Sequence, residues 1–430
     1  GMNEASYIRR ELPGGARLVM ESVPGRRSVA VGVWVRAGSR DELPGFEGAA
    51  HLIEHLAFKG TRRRSRREIA LSIERVGGSL DAFTSKEHTC FYARVLEEDL
   101  ALAVDVVCDL AGEPRLLPED VDLERRVVLE ELSSVEDNPE DLVGDLGMAQ
   151  LWPGHILGTS ILGTRESLTA LDATHVAAFH AREYRCSQAV VSVAGAADPD
   201  EVESLFTRHL RLPGAGNGDG RTSPHPATGT LAVYPSELAQ LHLLLIGPAP
   251  SDRDPRRRPA SVLAEILGGG MASRLFQSIR EEAGLAYSVS AYTDHFSDAG
   301  LFGVGLGVSP ARGAEALERA MEEIRILRAE GLRPGELDAA KAQVRGALIM
   351  GLESLSNRMT RLAHAELRTG GPEPVEQVLA DYEALTEEDV MEAAEEALDP
   401  ARQNLVALGP VRPSDLRLRS FEREMELNLP

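Results

Sequence analysis

Apolar positions along this chain switch between two periods, and the switches mark out strands and helices. In the first half, alternating or continuous apolar runs rich in β-branched residues predict strands over Arg17–Val23, Val29–Ala37 and Thr89–Val95. The second half offers counterparts over Thr230–Tyr234, Gln240–Ile246, Ala286–Tyr292 and Leu301–Val308. A long helix is predicted over 118–135, because Pro118-Glu-Asp-Val-Asp-Leu-Glu124 places proline and acids in a first turn. Pro334-Gly-Glu-Leu-Asp-Ala-Ala340 repeats that start 216 positions later, and Ala260–Gly270 aligns with Ala50–Gly60 at an offset of 210. Residues 213–229 are rich in Gly, Pro and Ser and lack periodicity, so they read as a linker. The pattern predicts a duplicated α+β chain with domains at 1–212 and 230–430. Each half is expected to be a mostly antiparallel sheet covered by helices on one face.

Bulk composition narrows the function. The 430 residues suffice for two or three domains at about 150 residues each. Lys and Arg total 46 against 68 Asp and Glu, a net charge of −22, which opposes nucleic-acid binding and draws cationic ligands. Arg62-Arg-Arg64 with Arg66-Arg67, and Arg256-Arg-Arg258, read as solvated faces within this acidic background. Cys90, Cys108 and Cys186 form no C-x-x-C pair and no disulfide framework. No apolar run approaches the roughly 18–20 residues of a membrane span, and Gly1-Met2-Asn3-Glu4 carries no apolar signal segment. A soluble, cytoplasmic protein that binds neither membrane nor nucleic acid is the expectation.

The densest chemistry lies in His51-Leu-Ile-Glu54-His55. Residues at i, i+3 and i+4 are neighbours on one helix face. Two imidazoles there can share one zinc ion, with the carboxylate beside a water at the ion's open position. The order is His-x-x-Glu-His, the inverse of the commoner His-Glu-x-x-His motif. A hydrolytic site needs a third protein ligand, and helix 118–135 is its best source. Glu124 and Glu131 fall on a stripe with Val127, Val128 and Val135, whereas Glu130 lies about 100° from Glu131 and reads as the exposed member of that pair.

Several stretches together resemble the inverzincin zinc peptidases of the pitrilysin/insulinase type, a family that includes mitochondrial processing peptidase and insulin-degrading enzyme. They are Gly38–Glu42, His51–Thr61 (HLIEHLAFKGT), Gly77–Thr89, Glu124–Glu131, Ile161–Thr164, Leu267–Phe276 and Arg280–Tyr287. Chain length resembles the smaller processing-peptidase-like (mitochondrial processing peptidase beta-like) group. The resemblance implies one zinc per chain on His51, His55 and Glu131, with Glu124 behind the ligands and Glu54 as general base. It also implies an edge strand at Leu80–Ser85 that takes the peptide by strand addition, with Asp81, Ala82, Phe83 and Thr84 touching substrate. Asp81 departs from an asparagine common in the family, and a carboxylate cannot donate as an amide does. Arg280 and Tyr287 match a family pair that binds substrate backbone and steadies the oxyanion.

The implied function is endoproteolysis of peptides or unfolded polypeptides inside a closed chamber. One active and one silent half supply one side of such a clamshell. A homodimer with Arg280 and Tyr287 acting in trans is therefore expected, and a heterodimer with an inactive homologue is the alternative. Two rival readings are a non-catalytic scaffold or peptide-binding subunit, and a homodimer whose zinc is structural.

Overall fold

The computed structural model describes residues 5–216, 220–416 and 423–430. Packing divides the chain into two units. The first gathers Gly1–Ser133, Ser160–Thr222 and Leu348–Glu373; the second gathers Ser134–Thr159, Ser223–Ala347 and Pro374–Pro430.

The first unit is built on six strands: β1 (Ser6–Glu11), β2 (Arg17–Ser22), β3 (Ser28–Val35), β4 (Ser79–Thr84), β5 (Thr89–Leu96) and β6 (Ala189–Gly195). Their order is β1-β2-β6-β3-β5-β4, with β2 and β6 parallel and every other pair antiparallel. On one face, helices including Ala49–Ala57, Leu100–Gly112 and Pro118–Glu136 bury Leu52, Ile53, Val107 and Val128 against Val31, Val33 and Phe91.

The opposite face is covered as well, by a helix from the far half of the sequence. Leu355–Thr369 sets Leu355, Met359, Leu362 and Ala363 on Val19, Ala30, Trp34, Val190 and Ala194. A Cβ at Gly32 would lie 2.7 Å from Met359 Sδ, so glycine permits the close approach. Glu366, fully buried at its side chain, accepts from Arg9 Nη2 at 2.9 Å and faces Arg17 at 3.4 Å. A buried carboxylate persists only when paired in this way.

The second unit repeats the plan with β7 (Thr230–Pro235), β8 (Leu241–Ala249), β9 (Ala286–His295), β10 (Gly300–Val308), β11 (Asn404–Gly409) and β12 (Arg423–Glu426). Its order is β12-β7-β11-β8-β10-β9. Helices Arg257–Gly268, Gly313–Glu330 and Glu387–Ala397 cover one face. The other receives Pro139–Leu151 from the first half of the sequence, through Leu142, Val143, Leu146 and Leu151 on Tyr234, Leu244, Ile246 and Val406. Gly147 again makes room, since a Cβ there would sit 2.6 Å from Leu244 Cδ2. Gln150 Nε2 donates to Thr230 Oγ1 at 2.8 Å.

The duplicated α+β architecture is present, with two differences from the sequence expectation. Helices cover both faces of each sheet, because strands such as β3 and β6 are mostly apolar, are buried along nearly their whole length and expose neither side to water. The cut at 213–229 also does not reproduce the packing units, since each sheet borrows a helix from the other half. Among the described strands, the two sheet orders differ at one rim: β1 precedes its sheet and runs antiparallel, while β12 follows its sheet and runs parallel. The rims at β4 and β9 each end a sheet.

The 213–229 segment contains no helix or strand among its described residues, and 217–219 lie outside them. It is tied down at both ends of that gap. Cys186 N donates to Pro213 O at 2.7 Å, and Arg221 grips Asp41 at 2.8 and 2.9 Å and Glu87 at 3.1 Å. Arg62, Arg63, Arg66 and Arg67 are exposed, as the solvated-face reading expects, while the half-buried Arg64 pairs with Asp105 at 2.8 Å and reaches Asp109 at 2.9 Å. Among the described residues, no helix is long and apolar enough to cross a membrane.

Candidate metal centre

Helix Ala49–Ala57 carries the His-x-x-Glu-His motif because its two faces differ. Leu52, Ile53 and Leu56 are buried toward the sheet, which turns His51, Glu54 and His55 to the other side. The helix starts at Gly48, whose φ of 101° suits glycine and which offers no side-chain cap. Glu42 does that work from a distance: its Oε2 accepts from Gly48 N at 3.0 Å and Ala50 N at 2.8 Å.

Helix Pro118–Glu136 brings Glu131 to the pair. His51 Nε2 and His55 Nε2 are 3.2 Å apart, His55 Nε2 is 3.0 Å from Glu131 Oε1, and His51 Nε2 is 3.5 Å from Glu131 Oε2. Ligands about 2.0–2.1 Å from a tetrahedral zinc stand about 3.3 Å from one another. The three separations are each close to that spacing, the two to Glu131 being made by different carboxylate oxygens, and the donor set of two imidazoles and one carboxylate is a catalytic zinc set. Among the described residues, these three form the cluster able to hold a metal ion. Glu130 is exposed, as its position off the Glu124–Glu131 stripe predicts.

Glu124 stands behind His55. Its Oε2 lies 3.0 Å from His55 Nδ1, and its Oε1 accepts from Lys59 Nζ at 2.9 Å. Only Nδ1–H can donate to that carboxylate, which leaves Nε2 bare toward the metal position. Lys59 continues the spacing of four from His51 and His55, which is the signal in the sequence that points to it. Replacing Glu124 with alanine is expected to weaken zinc binding by about 10- to 100-fold in a chelator competition. Parental affinity in that variant would show that His55 is oriented without it.

Burial, with His55 alongside, pushes the His51 imidazole down to about 4, so it is neutral near pH 7 and free to ligate. Burial also raises the Glu54 carboxyl; the hydrogen bond from Thr84 opposes this, and the charges of Glu131 and Asp81 add to it. A raised carboxyl suits a proton acceptor working near neutrality. Glu54 is not one of the three clustered ligands: its Oε2 accepts from Thr84 Oγ1 at 2.6 Å.

β4 ends its sheet, as the edge-strand reading required. Its side chains divide by strand alternation. Ala82 packs in the helix-side core and Thr84 reaches Glu54, whereas Phe83 turns to the other face, 5.3 Å from Trp34 in an edge-to-face contact. Asp81 Oδ1 accepts from Ala82 N at 2.8 Å, so its carboxylate serves its own turn of chain.

Arg280 and Tyr287 belong to the second unit. Arg280 lies in the π-helical segment Phe276–Glu282 with its guanidinium 4.8 Å from the Phe276 ring centre, and Tyr287 opens β9 with 61% of its surface exposed. The helix matching the metal helix is Arg257–Gly268, where Ser261, Ala264 and Glu265 stand opposite His51, Glu54 and His55 in the offset of 210. Two of the three imidazole and carboxylate positions there have lost their chemistry.

Comparison with known proteins agrees with this division. Residues 17–165 match the model of the insulinase family (peptidase family M16), and residues 170–344 match that of the peptidase M16 inactive domain. An uncharacterized zinc protease of Mycobacterium leprae is 42% identical over 414 residues, which cover 94% of this chain and 92% of that protein. One from Bacillus subtilis is 35% identical over 376 residues, covering 87% and 92%. In fold, the chain resembles a crystal structure described as a peptidase M16 inactive domain from Pseudomonas fluorescens, with TM-score 0.88, 20% identity and coverage of 95% and 98%. A protease from Helicobacter pylori gives TM-score 0.88 at 22% identity, covering 94% of this chain and 100% of that one. With its ligand triangle in the first unit and its bare counterpart in the second, this chain belongs to the insulinase family, peptidase family M16.

Proposed function

We infer that the chain is a zinc-dependent endopeptidase of the processing-peptidase-like group, cleaving peptides or unfolded polypeptides. The triangle of His51, His55 and Glu131, with Glu54 beside it and outside the ligand set, is the observation that carries this reading. The relatives' description as zinc proteases supports it. A structural zinc is normally closed by four protein ligands. Three clustered ligands and a separate carboxylate favour catalysis over that role and over a scaffold.

One zinc per chain, held by His51, His55 and Glu131, would supply Lewis acidity to a water and to the scissile carbonyl. Glu54 takes the proton of the attacking water and passes it to the leaving amine. Glu124, backed by Lys59, holds the His55 ring in register. The free rim of β4 offers main-chain groups to an extended peptide, and Ala82 and Thr84 lie on the side of the scissile bond. Arg280 and Tyr287 act on the site of a second copy of the chain, in a two-fold homodimer that encloses the substrate.

Metal-loaded protein should cleave a quenched fluorescent peptide, lose that activity to a chelator and regain it with zinc. A zinc-saturated chain without cleavage would favour the scaffold reading. Sharing of sites is tested by mixing Glu54→Gln and Tyr287→Phe chains under conditions of subunit exchange. About one quarter of the sites are then intact if the residues act in trans across a two-fold axis. No recovery in demonstrated heterodimers rejects the trans arrangement.

A further inference from the structure

The geometry points to Thr84 as a positioning residue for the general base: its hydroxyl, carried on the strand rim that receives the peptide, holds the Glu54 carboxylate in its working orientation. This rests on the peptidase reading above. Thr84 Oγ1 and Glu54 Oε2 are 2.6 Å apart, and an ionised carboxylate can only accept, so the hydroxyl is the donor. Such a short, charge-assisted contact is among the stronger hydrogen bonds. It engages one carboxylate oxygen and leaves the other for the attacking water.

The strand end that carries Thr84 is itself well anchored. Thr84 pairs with Thr89, which is fully buried and whose Oγ1 donates to Ala37 O at 2.8 Å. Ser85 N donates to His88 O at 2.8 Å and closes the turn that follows. A β-branched side chain is stiff at χ1, so threonine aims its hydroxyl more narrowly than a straight chain would. Residue 84 thus joins two tasks: its main chain belongs to the peptide-accepting rim, and its side chain fixes the base. Peptide addition at β4 and orientation of Glu54 share this one residue.

Two variants of the full, zinc-loaded chain test the assignment. Thr84→Val keeps the shape and removes the donor; Thr84→Ser keeps the donor. The valine variant is expected to lose about 10- to 100-fold in kcat on a quenched fluorescent peptide. Its KM should stay within about twofold of the parent, the split expected when an interaction acts on the chemical step. The serine variant should keep kcat within about threefold. Zinc affinity should be unchanged in both, and a crystal structure of the valine variant should show the Glu54 carboxylate turned away from β4.

Parental kcat in Thr84→Val, a loss lying wholly in KM, equal losses in both variants, or an unmoved Glu54 in the crystal structure would each overturn the proposal. A parent chain that binds zinc and cleaves nothing overturns the peptidase reading instead. The position of Glu54 in the valine variant then still decides the role of Thr84.

Discussion

Glu54→Gln is expected to lower peptide cleavage by about 10²- to 10⁴-fold, the span attributed to a positioned general acid–base group. Zinc binding should survive the change. The Glu54 carboxylate lies outside the cluster of His51, His55 and Glu131, and it accepts from the Thr84 hydroxyl. Glutamine keeps the size of the side chain and an oxygen that accepts from Thr84, and it removes only the basicity. Initial rates on a quenched fluorescent peptide, paired with zinc content per chain, check both halves of the claim. Equal turnover by variant and parent rejects Glu54 as the base.

His55→Ala should act on the metal itself. His55 stands at the centre of the site, 3.0 Å from Glu124 on one side and 3.0 Å from Glu131 on the other. Four-ligand zinc sites in peptides bind with apparent free energies of about 10–16 kcal/mol, roughly 3 kcal/mol per ligand, so losing one costs about 10²-fold in affinity. Loss of the anchor for Glu124 adds to that. Ligand linkage gives a second readout: at 100 times Kd, zinc stabilises the parent by about 2.7 kcal/mol, and the matching rise in Tm should largely vanish in the variant. Parental affinity in a chelator competition would remove His55 from the ligand set.

Local patterns made the motif legible, and distance along the chain set the limit. His51, Glu54 and His55 lie within one turn of helix, so spacing alone places them together. Glu131 falls on a stripe shared with Glu124, with Glu130 turned about 100° away toward solvent, but only folding brings that stripe to the two imidazoles. Thr84 was visible as part of a rim strand, while its bond to Glu54 depends on how the sheet edge meets the metal helix. Lys59 follows His55 by four residues, but spacing alone gives it no role, since its partner Glu124 comes from another helix. β6, Ala189–Gly195, is a short, mostly apolar run that periodicity alone does not separate from a buried helix segment.

The borrowed helices were legible as helices and not as borrowings. Leu355, Met359 and Leu362 form an apolar stripe at helical spacing, which says that the segment buries one face. Burial is non-directional, so the stripe cannot name the sheet it will cover. Gly32, Gly147 and the buried Glu366 choose the partner by shape and charge, and each contact joins residues far apart in sequence.

Vectorial synthesis gives the borrowed helix Leu355–Thr369 a timing consequence. Translation at about 5–20 residues per second separates the emergence of Gly195 from that of Glu373 by about 10–35 s. Through that interval Trp34, Val190 and Ala194 present a bare apolar surface on the ribosome-bound chain. A product released before Leu355 therefore lacks the cover of one whole sheet face.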